Sequence, residues 1–144
     1  MQKKWDFLVT KNSDFDIDFS NGRAGEDSVA QVLSITTVEV KRDLKWFDTN
    51  NFFIEYECFN ITQNQYIPSG LKTTKSTHYV FVLGDTFIGL PTQQLKDLIN
   101  KKHHEGTLRD VDCYIPPNQS RGYLVTVQDI LEYQKAKGRE LTNA

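Results

Sequence analysis

Two neighbouring segments of this chain alternate with a period of two, VEVKRD at residues 38–43 and FFIEYECF at residues 52–59. That period commits both to extended strands and excludes helix for either. On the first, Val38 and Val40 share one face while Glu39, Lys41 and Asp43 share the other. On the second, Phe52, Ile54, Tyr56 and Cys58 oppose Phe53, Glu55, Glu57 and Phe59. DTNN at residues 48–51 supplies turn formers, so the economical connection is an antiparallel hairpin bent near Thr49. This register sets Asp43 opposite Glu55 and Lys41 opposite Glu57, with facing Cβ atoms about 4.5–5.5 Å apart.

Two readings of that charged face stand side by side. In one, the hairpin has a wet face on which Lys41 pairs with acids for a few tenths of a kcal/mol. In the other, the acids hold a divalent cation: Phe53 and Phe59 bracket the glutamates on the same face, and facing carboxylates repel unless a cation lies between them.

A chain of 144 residues with 38% hydrophobic content builds one core and is expected to form a single domain, 1–144. A formal net charge of −2 excludes a generally cationic nucleic-acid wrapper but not a local basic patch. Cys58 and Cys113 are far apart, without a His or Cys partner at metal-ligand spacing; buried thiols in a reducing compartment are expected. No apolar run has the length of a signal core or a membrane span, so a soluble, intracellular protein without a membrane partner is expected.

Elsewhere, GEDSVAQVL at residues 25–33 places Val29, Ala30 and Leu33 on one helical face with Glu26 at its edge. Glu26 there is either a first-turn dipole residue or an inward acid. PSGLKTTKSTHY at residues 68–79 combines Ser69, Thr74, Lys72 and Lys75 ahead of the apolar strand YVFVLG. It reads either as a phosphate-holding helix start or as a solvated one. His78 is read as a packed or hydrogen-bonded residue. LPTQQLKDLINKKHHEG, residues 90–106, is an amphipathic helix with Leu95, Leu98 and Ile99 inward and Thr92 as candidate N-cap. His103 and His104 are adjacent and cannot face one metal from one helix side. A Pro-rich turn, a strand around residues 123–127 and a last helix from about Gln128, with Ile130 and Leu131 apolar, complete the chain.

A helix carrying an acid, a strand with acid and lysine, a strand ending in Glu-x-Glu and a following small helix resemble the core of the PD-(D/E)XK nuclease superfamily, in particular its small phage-type members. The residues that carry the resemblance are GRAGED, VEVKRD, NFFIEYEC, PSGLKTTKSTHYVFVLGD and LPTQQLKDLI, spanning residues 22 to about 100. The resemblance implies a restriction-endonuclease-like α/β fold, a mixed α+β core with a central mixed sheet flanked by helices, and the C-terminal strand and helix at about 123–138 added to it. It implies Glu26 as the helix acid, Asp43 as the strand acid and Glu55-Tyr56-Glu57 in place of Glu-x-Lys, with Lys41 supplying the ammonium. Two departures stand out: no Pro precedes Asp43, and Glu39-Val40-Lys41 itself spells Glu-x-Lys. Glu39 is kept as a flanking member of the site.

The implied activity is Mg²⁺-dependent endonucleolytic cleavage of DNA, with Mn²⁺ able to substitute, in the host cytoplasm if phage-encoded, and a homodimer where both strands are cut. Glu26, Asp43, Glu55 and Glu57 are the expected metal ligands, because hard cations take carboxylate oxygens. Lys41 either orients the attacking water or stabilises developing charge, and Ser69, Lys72, Thr74 and Lys75 contact the DNA backbone. The alternative is a non-catalytic DNA-binding or assembly module on the same fold.

Overall fold

In the computed structural model, the chain divides into two units, Met1–Thr36 and Thr37–Ala144. The residues described are 26, 27, 30, 31, 34 and 37–143. In the first unit Glu26, Asp27, Ala30 and Gln31 are helical, as the 25–33 pattern predicts, but Ala30, expected on the apolar face, is exposed like the other three; Val29 and Leu33 lie outside the described residues.

The second unit is a mixed α+β fold of seven strands in two sheets. Strand β1 is Val38–Lys41, followed by a helical turn α1 at Trp46–Thr49, β2 at Asn51–Asn60 and β3 at Gln65–Pro68. Strands β4 (His78–Leu83) and β5 (Thr86–Pro91) precede helix α2 (Thr92–His104). Strands β6 (Arg109–Ile115) and β7 (Asn118–Thr126) precede helix α3 (Val127–Thr142). One sheet has the order β1-β4-β5, with β1 parallel to β4 and β4 antiparallel to β5. The other is wholly antiparallel in the order β3-β2-β7-β6.

The two sheets meet through their apolar faces. Phe52 and Ile54 of β2, Tyr79 and Phe81 of β4 and Val125 of β7 are fully buried, and the Phe52 and Phe81 rings lie 4.6 Å apart. Helices α2 and α3 pack on β4, β5 and β7, burying Leu95, Leu98 and Ile99 from the first and Ile130 and Tyr133 from the second. Burying a side chain of this size is worth about 1.5–3 kcal/mol, so these residues are the main source of cohesion. Helix α3 starts in a capping box: the Asp129 N–H donates to Thr126 Oγ1 at 3.0 Å and the Thr126 N–H donates to Asp129 Oδ2 at 2.9 Å. Thr92 does not cap α2. It is the first helical residue, after Pro91, and its buried hydroxyl donates to the Ser76 carbonyl at 2.8 Å.

The expected hairpin between residues 38–43 and 52–59 is replaced by a nonlocal arrangement. Strand β1 pairs in parallel with β4, and β2 pairs with β3 and β7, so Asp43 does not face Glu55 across a ladder, nor Lys41 Glu57. The residues read as a turn instead wind into α1, closed by Asn50 in the left-handed conformation at φ 57°, which asparagine tolerates at a helix end. Asp43 serves this segment, its Oδ1 accepting the Lys45 N–H at 2.8 Å.

A second correction concerns Glu-x-Glu. Strand β2 pairs Glu55 with Gly122 and Glu57 with Arg121, the register shifting between them. Because Gly122 and Arg121 are consecutive, they point to opposite sides of β7. A β-bulge at Tyr56 therefore turns Glu55 and Glu57 to opposite faces of the sheet.

Candidate functional site

Strand β1 inverts the ordinary burial order. Val38 and Val40 face outward, 39% and 59% exposed, whereas the side chains of Lys41 and Glu39 are only 26% and 34% exposed. The register explains this: Glu39 is level with Tyr79 and Lys41 with Phe81, so both charged residues share the inward face of the sheet with two fully buried aromatics. Turning charges rather than valines inward costs desolvation unless they are paired. Here they pair with each other, Lys41 Nζ lying 2.6 Å from Glu39 Oε1 and 5.9 Å from the centre of the Tyr79 ring.

Glu55 reaches the same neighbourhood from β2. Its Oε1 accepts the Ser69 hydroxyl at 2.7 Å, and Ser69 is held there by the donation of its N–H to the Tyr56 carbonyl at 2.9 Å. The close approach needs Gly70, at φ +47°, because a Cβ at that position would lie 2.2 Å from the Glu55 carbonyl oxygen.

Between these groups sits Tyr79. The residue is 0% exposed and its hydroxyl has no hydrogen-bond partner among the described residues. Burial pushes its phenol up to about 12; the charge of Glu39, and more weakly that of Glu55, adds to the shift, while the Thr74 side chain opposes it from outside hydrogen-bonding geometry. Buried hydroxyls ordinarily find partners, so an unpaired one near the charges of Glu39 and Glu55 is unusual.

Lys41 and Glu55 both open onto a cleft of about 640 Å³ on the outer face of the antiparallel sheet. Phe53, Val111 and Leu124 form its floor, and Arg42, Asp43 and Lys45 of the β1–α1 connection line one wall. The Phe53 ring lies across Gly122, where a Cβ would come within 2.5 Å of it. Arg109 donates to the Asn51 side chain beside the cleft.

The other expected site residues have different occupations. Glu57 is bound by Lys72 at 2.6 Å and by Arg121 at 3.5 Å, and the Lys72 hydrogen bond above all holds its carboxyl below the usual range, against some desolvation. Lys72 also lies over the Tyr56 ring at 4.7 Å, and Arg121 over Tyr66 at 3.7 Å. Glu57 is therefore occupied by cations of this chain, on the opposite side of the sheet from Glu55. Asp43 borders the cleft but caps its own turn. Glu26 belongs to the first unit; the site is built here from the second alone. The phosphate cradle expected at residues 69–75 is a three-residue 3-10 turn, Gly70–Lys72, with Ser69 committed to Glu55 and Lys72 to Glu57. Lys75 remains exposed, and Thr74 accepts the Ser76 N–H at 3.1 Å. His78 bonds only its neighbour Thr77, at 3.1 Å.

Among the described residues, no three of His, Cys, Asp and Glu come together as a metal site. Mg²⁺ does not require three: it usually keeps several waters and is held by one or two carboxylates plus substrate phosphate oxygens. Glu39 and Glu55, with the orphaned Tyr79 hydroxyl, fit that donor set. Cys58 and Cys113 each pair with Ser120 from opposite sides, putting their Cα atoms about two strand spacings, roughly 9.5 Å, apart. That is too far for a disulfide, and both are free. No helix among the described residues is long and apolar enough to cross a membrane.

Sequence reasoning passed over Tyr79 and the pair Arg42 and Lys45, and took Phe53 only as cover for the glutamates. Tyr79 carried the one available signal, a polar-tipped residue at the head of an otherwise apolar strand. The chain matches no protein-family model, no curated protein and no solved structure.

Proposed function

We propose that this protein is a divalent-metal-dependent phosphodiester hydrolase acting on DNA, with Glu39, Lys41 and Glu55 as its working groups. The observation that carries the reading is the inward Glu39–Lys41 pair on the face of the buried Tyr79, with the Ser69-held Glu55 near enough for its charge to act on the same phenol. Acid, lysine and second acid are thus supplied by strands of two different sheets, and in this reading the literal Glu-x-Lys of β1 takes the place expected for Asp43 with Glu55 and Glu57.

Glu39 and Glu55 would hold Mg²⁺ or Mn²⁺, which when bound neutralises phosphate charge and acidifies an attacking water. The chain's own contributions are positional. Lys41, anchored by Glu39, places an ammonium where negative charge grows on the phosphate. Ser69 fixes the rotamer of Glu55, and the Tyr79 hydroxyl offers a donor that no protein group consumes. Arg42 and Lys45 attract the backbone irrespective of sequence. Cutting both strands calls for two such sites, which a homodimer supplies. A DNA substrate in this reading places the protein in the cytoplasm.

The test is cleavage of plasmid and single-stranded DNA with Mg²⁺, Mn²⁺ or EDTA. Glu39→Gln, Glu55→Gln and Lys41→Ala are each expected to lower the rate by about 10²-fold or more, whereas Glu57→Gln retains it. Equal cleavage by the first three variants and the parent, or loss in Glu57→Gln alone, removes the assignment. A second reading, a non-catalytic DNA-binding module, is favoured by one observation: of the carboxylates lining the cleft, Asp43 accepts the Lys45 N–H, Asp112 pairs with Arg121 and Glu55 accepts the Ser69 hydroxyl. DNA binding without metal-dependent cleavage by any form selects it.

A further inference from the structure

The cleft floor has no part in the chemistry just described, yet it is shaped for something flat. Phe53 is a strand residue whose ring lies down over Gly122, a posture that any side chain at 122 would forbid. Leu124 is level with Phe53, and Val111 with Gly122, so aliphatic groups flank the ring in a cleft of about 640 Å³. That volume falls in the range of sites for small ligands and is too small for a duplex. Above the floor, Arg42 and Lys45 form no ion pair among the described residues, and Lys41 and Glu55 stand at the margin.

Two cations without an ion pair beside an aromatic platform, with the intervening Asp43 turned to the Lys45 N–H and Asp112 held by Arg121, suit a nucleotide: a base face below, phosphates beside it. Bases inside a duplex have both faces covered by their neighbours, so only an unpaired base can be laid on Phe53. We infer that the cleft receives one unpaired nucleobase, stacked on Phe53, with its phosphates along the Arg42–Lys45 wall, and that the protein therefore prefers single-stranded, bulged or frayed DNA to blunt duplex. This deepens the hydrolase reading and rests on it for the identity of the ligand as nucleic acid, but it concerns binding and needs no turnover.

Binding is measured with the whole chain in EDTA, by anisotropy of labelled oligonucleotides of one sequence presented as single strand, blunt duplex and duplex with one bulged nucleotide. Single strand and bulged duplex bind more tightly than blunt duplex. Phe53→Leu keeps an apolar side chain, removes the ring, and weakens single-strand binding by about 5- to 100-fold without changing blunt-duplex binding. Phe53→Trp, checked for folding by circular dichroism, retains the preference. Arg42→Ala weakens all three probes and lowers the salt slope by about one. Replacing the unpaired base by 2-aminopurine gives quenching with the parent and not with Phe53→Leu. Equal affinity for the three probes, or a Phe53→Leu variant with parental single-strand affinity, overturns the inference; so does absence of binding to every probe. A parallel cleavage assay with Mg²⁺ separates the two ideas. Unpaired-base binding without cleavage leaves the inference and removes the hydrolase, and cleavage of blunt duplex unaffected by Phe53→Leu does the reverse.

Discussion

Tyr79 holds a hydroxyl in the dry interior with nothing to bond to, which costs free energy in the unliganded protein. Tyr79→Phe removes that cost while keeping the ring, so the variant is expected to gain about 1 kcal/mol in denaturant unfolding and to lose cleavage activity. Loss of both, or gain of both, would show that the hydroxyl is not reserved for the site. Residue chemistry was the part of the site most open to reading from sequence. Glu39, Lys41 and Glu55 stand out by alternation alone, and the short Glu-x-Lys was visible. The commitments of Asp43 to the Lys45 N–H and of Glu57 to Lys72 and Arg121 were not, because each depends on a loop or strand that arrives from elsewhere in the chain.

Among the elements, strands and helices were legible wherever a period ran unbroken, as in α2 with its inward Leu95, Leu98 and Ile99. Pairing was not. A parallel β1–β4 match across the whole of β2 and β3 leaves no local mark, and the turn formers at 48–51 suit a helical turn with a left-handed Asn50 as well as a hairpin. Strands β5 and β6 carry weak alternation and were passed over. Two predictions belong at this scale. Gly70→Ala imposes both a strained φ and a clash with the Glu55 carbonyl, and is expected to cost at least about 1–3 kcal/mol and to release Glu55 from Ser69, read as lost stability and lost cleavage together. Asp129 closes the α3 capping box and accepts Lys102 Nζ at 2.8 Å. Burial is the largest single influence on it and would raise its carboxyl, yet the Lys102 hydrogen bond and the Thr126 N–H together hold it below the ordinary range. A depressed folded value means stability present above the unfolded value and lost as pH falls through the folded one. Asp129→Ala should therefore cost about 0.5–2 kcal/mol near neutrality, with the difference from the parent shrinking in acid.

For the molecule as a whole, cohesion rests on the aromatic contact between the sheets, so Phe81→Ala is expected to cost about 3–5 kcal/mol, measured by chemical denaturation. The buried tyrosines set the alkaline limit. Tyr79 rises from 10.0 to about 12 mainly through burial, and Tyr56, also buried and donating to both oxygens of Asp110 at 2.8 Å, is driven higher. Raised folded values mean stability intact below pH 10 and lost as pH climbs through the folded values. Phenolate absorbance should accordingly show a late, cooperative step that coincides with loss of the circular dichroism signal.

The extra residue in β2 divides that strand into two halves with separate duties. Ahead of it, the sequence answers to the cleft through Phe53 and Glu55; behind it, to the array of Glu57, Lys72, Arg121 and Tyr66 on the reverse side. Deleting Tyr56 would make Glu55 and Glu57 consecutive and leave them on opposite faces, so its cost would fall on the Tyr56 side chain itself, which donates to Asp110 and lies beneath Lys72. Substitutions in the rear array reach the front through Arg121, which also pairs with Asp112 of the cleft lining.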